Sequence, residues 1–202
     1  MINRVKGGLV RRVVSLAKLV VDQLRVHTCN VRGHEILLHA ESEIEKYRAN
    51  TYSTQEPEVL EWIERFFHPG DVMYDVGANI GLFSLFAARH LQGQCKVYAF
   101  EPEALNHASL SKNIYVNGLA GVVIPCCLAV TDQLCYQAFY LNPDNFEKMV
   151  RGQELAAGSS LHAFGLAVDY SGRSFEPFHE QGVVGVSIDH LWQVWGLEFP
   201  NH

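Results

Sequence analysis

Residues 75–81 read Asp-Val-Gly-Ala-Asn-Ile-Gly, between a short apolar run and a helix-forming stretch, and this pattern can do chemistry. Gly77 and Gly81 permit a tight turn and let a ligand approach the backbone without Cβ interference. The free N–H groups that open the following helix make an anion site. Glu101, within Phe-Glu-Pro-Glu at 100–103, stands 20 residues beyond Gly81. At that spacing an acid on the tip of the next strand accepts both hydroxyls of a ribose.

The same residues select among nucleotides. The dinucleotide fingerprint is GxGxxG, whose middle glycine clears space for a pyrophosphate. Here the spacing is GxxxG, Asn79 occupies the middle position, and Asp75 precedes the first glycine by two residues. A carboxylate there repels pyrophosphate but can face the α-ammonium of a methionine moiety, directly or through water. The ligand's carboxylate would use the helix N–H groups. The pattern therefore favours S-adenosylmethionine over NAD, with Asp75, Gly77, Ala78, Asn79, Gly81, Glu101 and Pro102 as the expected cofactor-binding residues.

Elements of matching type surround this loop. Val72–Val76 and Lys96–Phe100 read as short apolar strands, Leu82–Leu91 and Ala104–Val116 as helices, and Val122–Cys126 as a third strand. Such alternation predicts βαβ units and a parallel sheet with right-handed crossovers. Upstream, Val26–Ala40 reads as a hairpin turning at 30–33. Thr54 is expected to cap a helix carrying Leu60, Ile63 and Phe67. Downstream the rhythm weakens: Tyr136–Leu141, Leu161–Val168 and Val183–Val186 are strand candidates, and Ile188–Val194 is a short helix.

Composition bounds the rest. The chain has 202 residues, 48% hydrophobic and 19% charged, which describes a globular chain of about one domain and excludes a disordered or polytopic membrane protein. Its net charge of −6 provides no overall basic field, so no nucleic-acid partner is expected. Residues 1–25 differ, with six Lys or Arg against Asp22 alone. Gly8–Arg25 reads as an amphipathic helix that packs on the domain or a partner, or touches an anionic membrane surface weakly. Five cysteines with no CxxC suit buried thiols in a reducing, cytoplasmic setting rather than disulfides or zinc, and no metal site is expected.

DVGANIG at 75–81, EPEVLEWI at 56–63, FEPE at 100–103, KNIYVNG at 112–118, CLAVTD at 127–132, GSSL at 158–161 and VSIDHLW at 186–192 resemble the FkbM-type methyltransferases. The resemblance implies a Rossmann-like class I methyltransferase sheet in residues 51–202, as an N-terminal half of about three parallel strands plus antiparallel strands. Residues 1–50 form an appendage of amphipathic helix and hairpin. It implies S-adenosylmethionine as cofactor and O-methylation of a hydroxyl on a small molecule or sugar. It also points to Ala129 as a residue lining the adenine, and to Tyr52, Glu56, Glu58, Ser159 and Ser160 near the acceptor. Family members continue past the VSIDHL-like segment with further strands, so the domain is expected to be incomplete at its C-terminal end. The edge of the DVGANIG strand would then be exposed.

Methyl transfer from a sulfonium is an in-line displacement in which positioning supplies much of the acceleration. A general base matters if the acceptor hydroxyl must lose its proton. The spacing of His162, His179 and His190 singles none of them out for that role. Two other readings stay open at this level: a non-catalytic nucleoside-binding module, and an NAD-dependent oxidoreductase.

Overall fold

The computed structural model describes residues 25–142, 157, 158, 160 and 162–202. The amphipathic helix expected at 8–25 therefore lies outside the described residues, apart from Arg25, which pairs with Glu41 at 3.3 Å. The chain opens with an antiparallel hairpin of β1 (Val26–Val31) and β2 (His34–His39). Its two-residue turn places Arg32 and Gly33 at φ 49° and 87°, a conformation favoured in tight hairpins because it matches the strand twist. Two helices follow, α1 (Glu43–Thr51) and α2 (Pro57–Phe66).

Helix α1 was not apparent from apolar periodicity. Ser42 and Glu45 form a reciprocal capping box at its start. The expected cap at Thr54 is corrected. Pro57 at the first helical position starts α2, where a missing N–H costs nothing. Thr54 lies in the preceding turn, its hydroxyl donating to the Thr51 carbonyl at 3.1 Å.

The alternating region builds β3 (Val72–Val76), α3 (Leu82–His90), β4 (Lys96–Phe100), α4 (Ala104–Val116) and β5 (Val123–Cys126). The three strands form one parallel sheet in the order β3-β4-β5. A second, mixed sheet has the order β6-β9-β7-β8, from β6 (Ala129–Val130), β7 (Cys135–Leu141), β8 (Ala163–Phe164) and β9 (His179–Val186). Helix α5 (Ile188–Gln193) follows β9. The strand expected over 161–168 shrinks to two residues within the described part of that range, and the one expected at 183–186 extends back to His179. Both extents are set by pairing with β7 rather than by local apolar content.

The main core joins the hairpin, α2, α3, α4 and the parallel sheet around residues such as Ile36, Leu60, Phe86, Val97 and Leu110. The hairpin is held from the side by α4. The Asn117 side chain exchanges two hydrogen bonds with Leu37, at 3.0 and 2.7 Å. Asn113 accepts from the His39 N–H at 2.8 Å and donates to the Ile80 carbonyl at 2.9 Å. These two residues of the KNIYVNG stretch lie one helical turn apart and so face the same neighbour.

The expectation of a bare β3 edge is also corrected. Residues 201 and 202 lie along its first half. The Asn201 N–H donates to the Val72 carbonyl, and the Tyr74 N–H donates to the His202 carbonyl, each at 2.9 Å. The His202 ring meets the Trp62 and Phe67 rings edge-on. Val76, at the other end of the strand, is 54% exposed. All five cysteines are free; Cys127 is exposed, against the expectation of buried thiols.

Gly81 begins α3 at φ 94°, and a Cβ there would come within 2.6 Å of the Leu110 side chain on α4. Gly77 has φ 80° with open space around the same position. Alanine at either site should cost on the order of 1–3 kcal/mol of backbone strain. Gly81→Ala should cost more, because it also pushes Leu110 out of a packed core. Chemical denaturation of both variants checks this, and equal losses would show that Leu110 gives way freely.

Candidate functional site

The loop after β3 is fastened to the tip of β4. The Gly77 and Ala78 N–H groups both donate to the Phe100 carbonyl, at 2.9 and 3.0 Å. Asn79 is held at φ 52°, a conformation rare outside glycine but tolerated by asparagine, and its side-chain oxygen accepts from the Ile80 N–H at 2.9 Å. The Glu101 carboxylate closes the arrangement. It accepts from the Asn79 N–H at 2.7 Å and from the Glu103 N–H at 2.8 Å. Glu101 is only 5% exposed, and burial pushes its carboxyl up to about 7 against these donors and a further bond from the Asn106 side chain.

Asp75 occupies the last buried position of β3. Burial raises its carboxyl pKa, which a 2.5 Å hydrogen bond from the Ser84 hydroxyl partly offsets. The structure thus puts the two predicted acids on neighbouring strand tips, with the glycine loop between them.

Two cavities flank that loop. The larger, about 340 Å³, is lined by Asp75, Gly77, Ala78 and Asn79 together with Arg48, Tyr52 and Glu56. The smaller, about 180 Å³, is lined by Glu101 and Pro102 together with Asn106, Phe139 and His162. Gly77, Asn79 and Ser160 line both, so the cavities meet over the loop. Gln181 of β9 fixes the floor of the smaller one, its side chain accepting from the Ala104 N–H and donating to the Pro102 carbonyl.

The remaining predicted residues divide. Tyr52 is buried and its hydroxyl donates to the Leu82 carbonyl; burial raises its pKa well above the usual phenol value, so it keeps its proton. Glu56 is exposed on the cavity rim, and Glu58 is exposed on α2 away from both cavities. Ser160 is at the junction, whereas Ser159 lies outside the described residues. Gly81 anchors α3 without lining either cavity, and Ala129 packs with Phe139, Leu141 and Val183 in the second sheet. Phe139 and Pro102 are the apolar walls of the smaller cavity instead.

Of the histidines, only His162 lines one of these cavities; its Nδ1 accepts from the Asn142 N–H at 3.3 Å. Local sequence could not have found Arg48, Asn106 or Phe139, because distant segments bring them in, and it gave no reason to choose His162 over His179 and His190. The capping box at Ser42 was the one signal that a helix carries Arg48 there.

The three-stranded parallel sheet, its glycine loop and the acids on its first two strand tips have the form of a Rossmann-like α/β domain. Over 76 residues the sequence is 43% identical to the 31-O-demethyl-FK506 methyltransferase FkbM of Streptomyces tacrolimicus, which bears out the FkbM-type resemblance. That match covers 38% of this chain and 28% of the relative, so the chain spans under a third of the curated relative's length. No family model matches the sequence.

Among solved structures, the Thermus thermophilus 16S rRNA N2 G1207 methyltransferase in complex with AdoMet and guanosine shares 21% identity. Its TM-score is 0.40, with 51% of this chain and 27% of that one covered. The M. jannaschii tRNA m1G37 methyltransferase shares 15% identity, with a TM-score of 0.36 and coverage of 62% and 47%. These neighbours act on RNA, and the exclusion of nucleic acid drawn from composition is therefore corrected. A net charge of −6 is a sum over the whole chain and does not determine the field at one face.

Glu101 makes the stability of the ligand-free chain pH-dependent. Its folded pKa, about 7, is above the ordinary 4.5, so between these values the folded state holds more proton than the unfolded one. Stability from this group therefore falls as pH rises from 4.5 to 7 and levels off beyond. Glu101→Gln should flatten that part of the curve, as measured by urea unfolding at several pH values. An unchanged slope would assign the dependence to other groups.

Proposed function

We propose that this chain carries the cofactor-binding half of an S-adenosylmethionine-dependent methyltransferase acting on a hydroxyl of a small molecule or sugar. One observation carries the reading: two cavities join over the Gly77–Asn79 loop, and a buried carboxylate lines each, Asp75 the larger and Glu101 the smaller. The cofactor has a matching form, with an α-ammonium at one end and a ribose diol and adenine at the other. Asp75 suits the ammonium. Glu101 suits the diol, and Pro102 and Phe139 offer apolar faces to a base. A relative named for a 31-O-demethyl substrate supports oxygen as the accepting atom.

When bound, the cofactor supplies an electrophilic methyl group on a sulfonium. The protein's part is placement. The loop bonds to Phe100 hold Gly77 and Ala78 between the two acids, and Glu101 keeps Asn79 in its left-handed conformation. Tyr52, protonated and tied to Leu82, forms a wall of the larger cavity rather than a base. Five free cysteines accord with a reducing, cytoplasmic setting.

Calorimetric titration with S-adenosylhomocysteine should show binding that strengthens as pH rises through about 7, because the ionised Glu101 is the better acceptor for ribose hydroxyls. Glu101→Ala should weaken it by about 1.5–3 kcal/mol, the range for hydrogen bonds to a charged group. Unchanged affinity would remove Glu101 from the ribose. Heat from NAD and none from S-adenosylhomocysteine would favour the oxidoreductase reading instead.

A further inference from the structure

We infer that Gln181 of β9 is a positioning residue for the ligand's base, because it ties the two apolar walls of the smaller cavity, Pro102 and Phe139, to one another. This rests on the cofactor reading above. The two walls belong to different sheets: Pro102 follows β4 of the parallel sheet, and Phe139 lies on β7 of the mixed one. Gln181 is paired directly opposite Phe139 across the antiparallel β7–β9 ladder. Residues so paired project from the same face of a sheet. The Gln181 side chain leaves that face and ends on the turn after β4. There its amide nitrogen donates to the Pro102 carbonyl at 2.5 Å, and its amide oxygen accepts from the Ala104 N–H at 3.1 Å.

Both ends of this tie are fixed. Phe139 is buried with Leu141 and Val183 in the core of the second sheet. The turn is held from within by two acids: Glu101 accepts from the Glu103 N–H, and Glu103 accepts from the N–H groups of Leu105 and Asn106 at the start of α4. A primary amide suits the link, since one planar group offers both a donor and an acceptor. It meets a carbonyl and an N–H two residues apart, as a neighbouring strand would. Dispersion falls steeply with separation, so a wall that moves off a base by a fraction of an ångström loses much of the contact. A residue that fixes one wall relative to the other therefore governs how well a base is held. A Gln181 that only braced the turn would instead affect every ligand of the site alike.

A pair of ligands isolates the base. S-Ribosylhomocysteine keeps the ribose, thioether and amino-acid end of S-adenosylhomocysteine and carries a hydroxyl in place of adenine. With affinities read by titration calorimetry and displacement, the unaltered chain should bind S-adenosylhomocysteine roughly ten- to hundredfold more tightly, the yield of one stacked base. Gln181→Met keeps the length of the side chain without either hydrogen bond. It should narrow that gap about three- to tenfold while leaving the affinity for S-ribosylhomocysteine unchanged. In a Phe139→Ala background the same substitution should change the gap little, because one wall is already gone. An unchanged gap in Gln181→Met, a parallel loss for both ligands, or full additivity with Phe139→Ala overturns the assignment. Should Gln181→Met fail to melt cooperatively, Gln181→Glu, which keeps the acceptor and loses the donor, is read by the same outcomes. Equal binding of the two ligands by the unaltered chain overturns the Gln181 role alone. Binding of neither overturns the cofactor reading and this inference with it.

Discussion

A carboxylate removed from water has to be met by donors, and the Glu101 carboxylate organises the site around that need. Its two oxygens take N–H groups from Asn79 and Glu103, and the Asn106 amide adds a third donor. Those donors belong to the loop after β3, the turn after β4 and the first turns of α4. One group thereby sets the relative position of three segments, and the left-handed backbone at Asn79 is a result. Burial against these donors raises its carboxyl pKa to about 7.

Much of this was legible in the sequence because it is local. Strands β3 and β4 and helices α3 and α4 fall where short apolar runs and glycine or proline punctuation put them, and the spacing of Asp75, the glycines and Glu101 is fixed within those units. Helix α1 escaped because only Glu45 and Ala49 are buried in it, so it shows no apolar stripe. Its evidence was a capping pair, a signal of where a helix starts rather than of what it buries. Thr54 misled for the complementary reason: it is a competent cap, but Pro57 fixes the start of α2 further along.

The second sheet was harder to read because its limits are tertiary. Strand β9 begins with His179, Glu180 and Gln181, polar residues that no strand rule favours, and they pair because β7 lies opposite. Glycine helps this pairing: at Gly182 a Cβ would collide with the Tyr136 side chain, so the ring lies over bare backbone. Ala129 belongs to this sheet's packing, and Phe139 of the same cluster lines the smaller cavity from β7. The parts of the site that sequence missed are those delivered by this sheet and by α1.

The asparagines of α4 have a consequence for how the chain behaves in company. A two-stranded hairpin is weak alone and presents on its outer strand a row of unpaired groups that can template intermolecular strand addition. Asn113 and Asn117 occupy the β2 groups at Leu37 and His39 with side-chain amides, which imitate a neighbouring strand while belonging to a helix. The ladder therefore ends inside the molecule. A sequence rich in apolar strands can carry this hairpin next to its parallel sheet without the two fusing, and without offering that edge as a seed for aggregation.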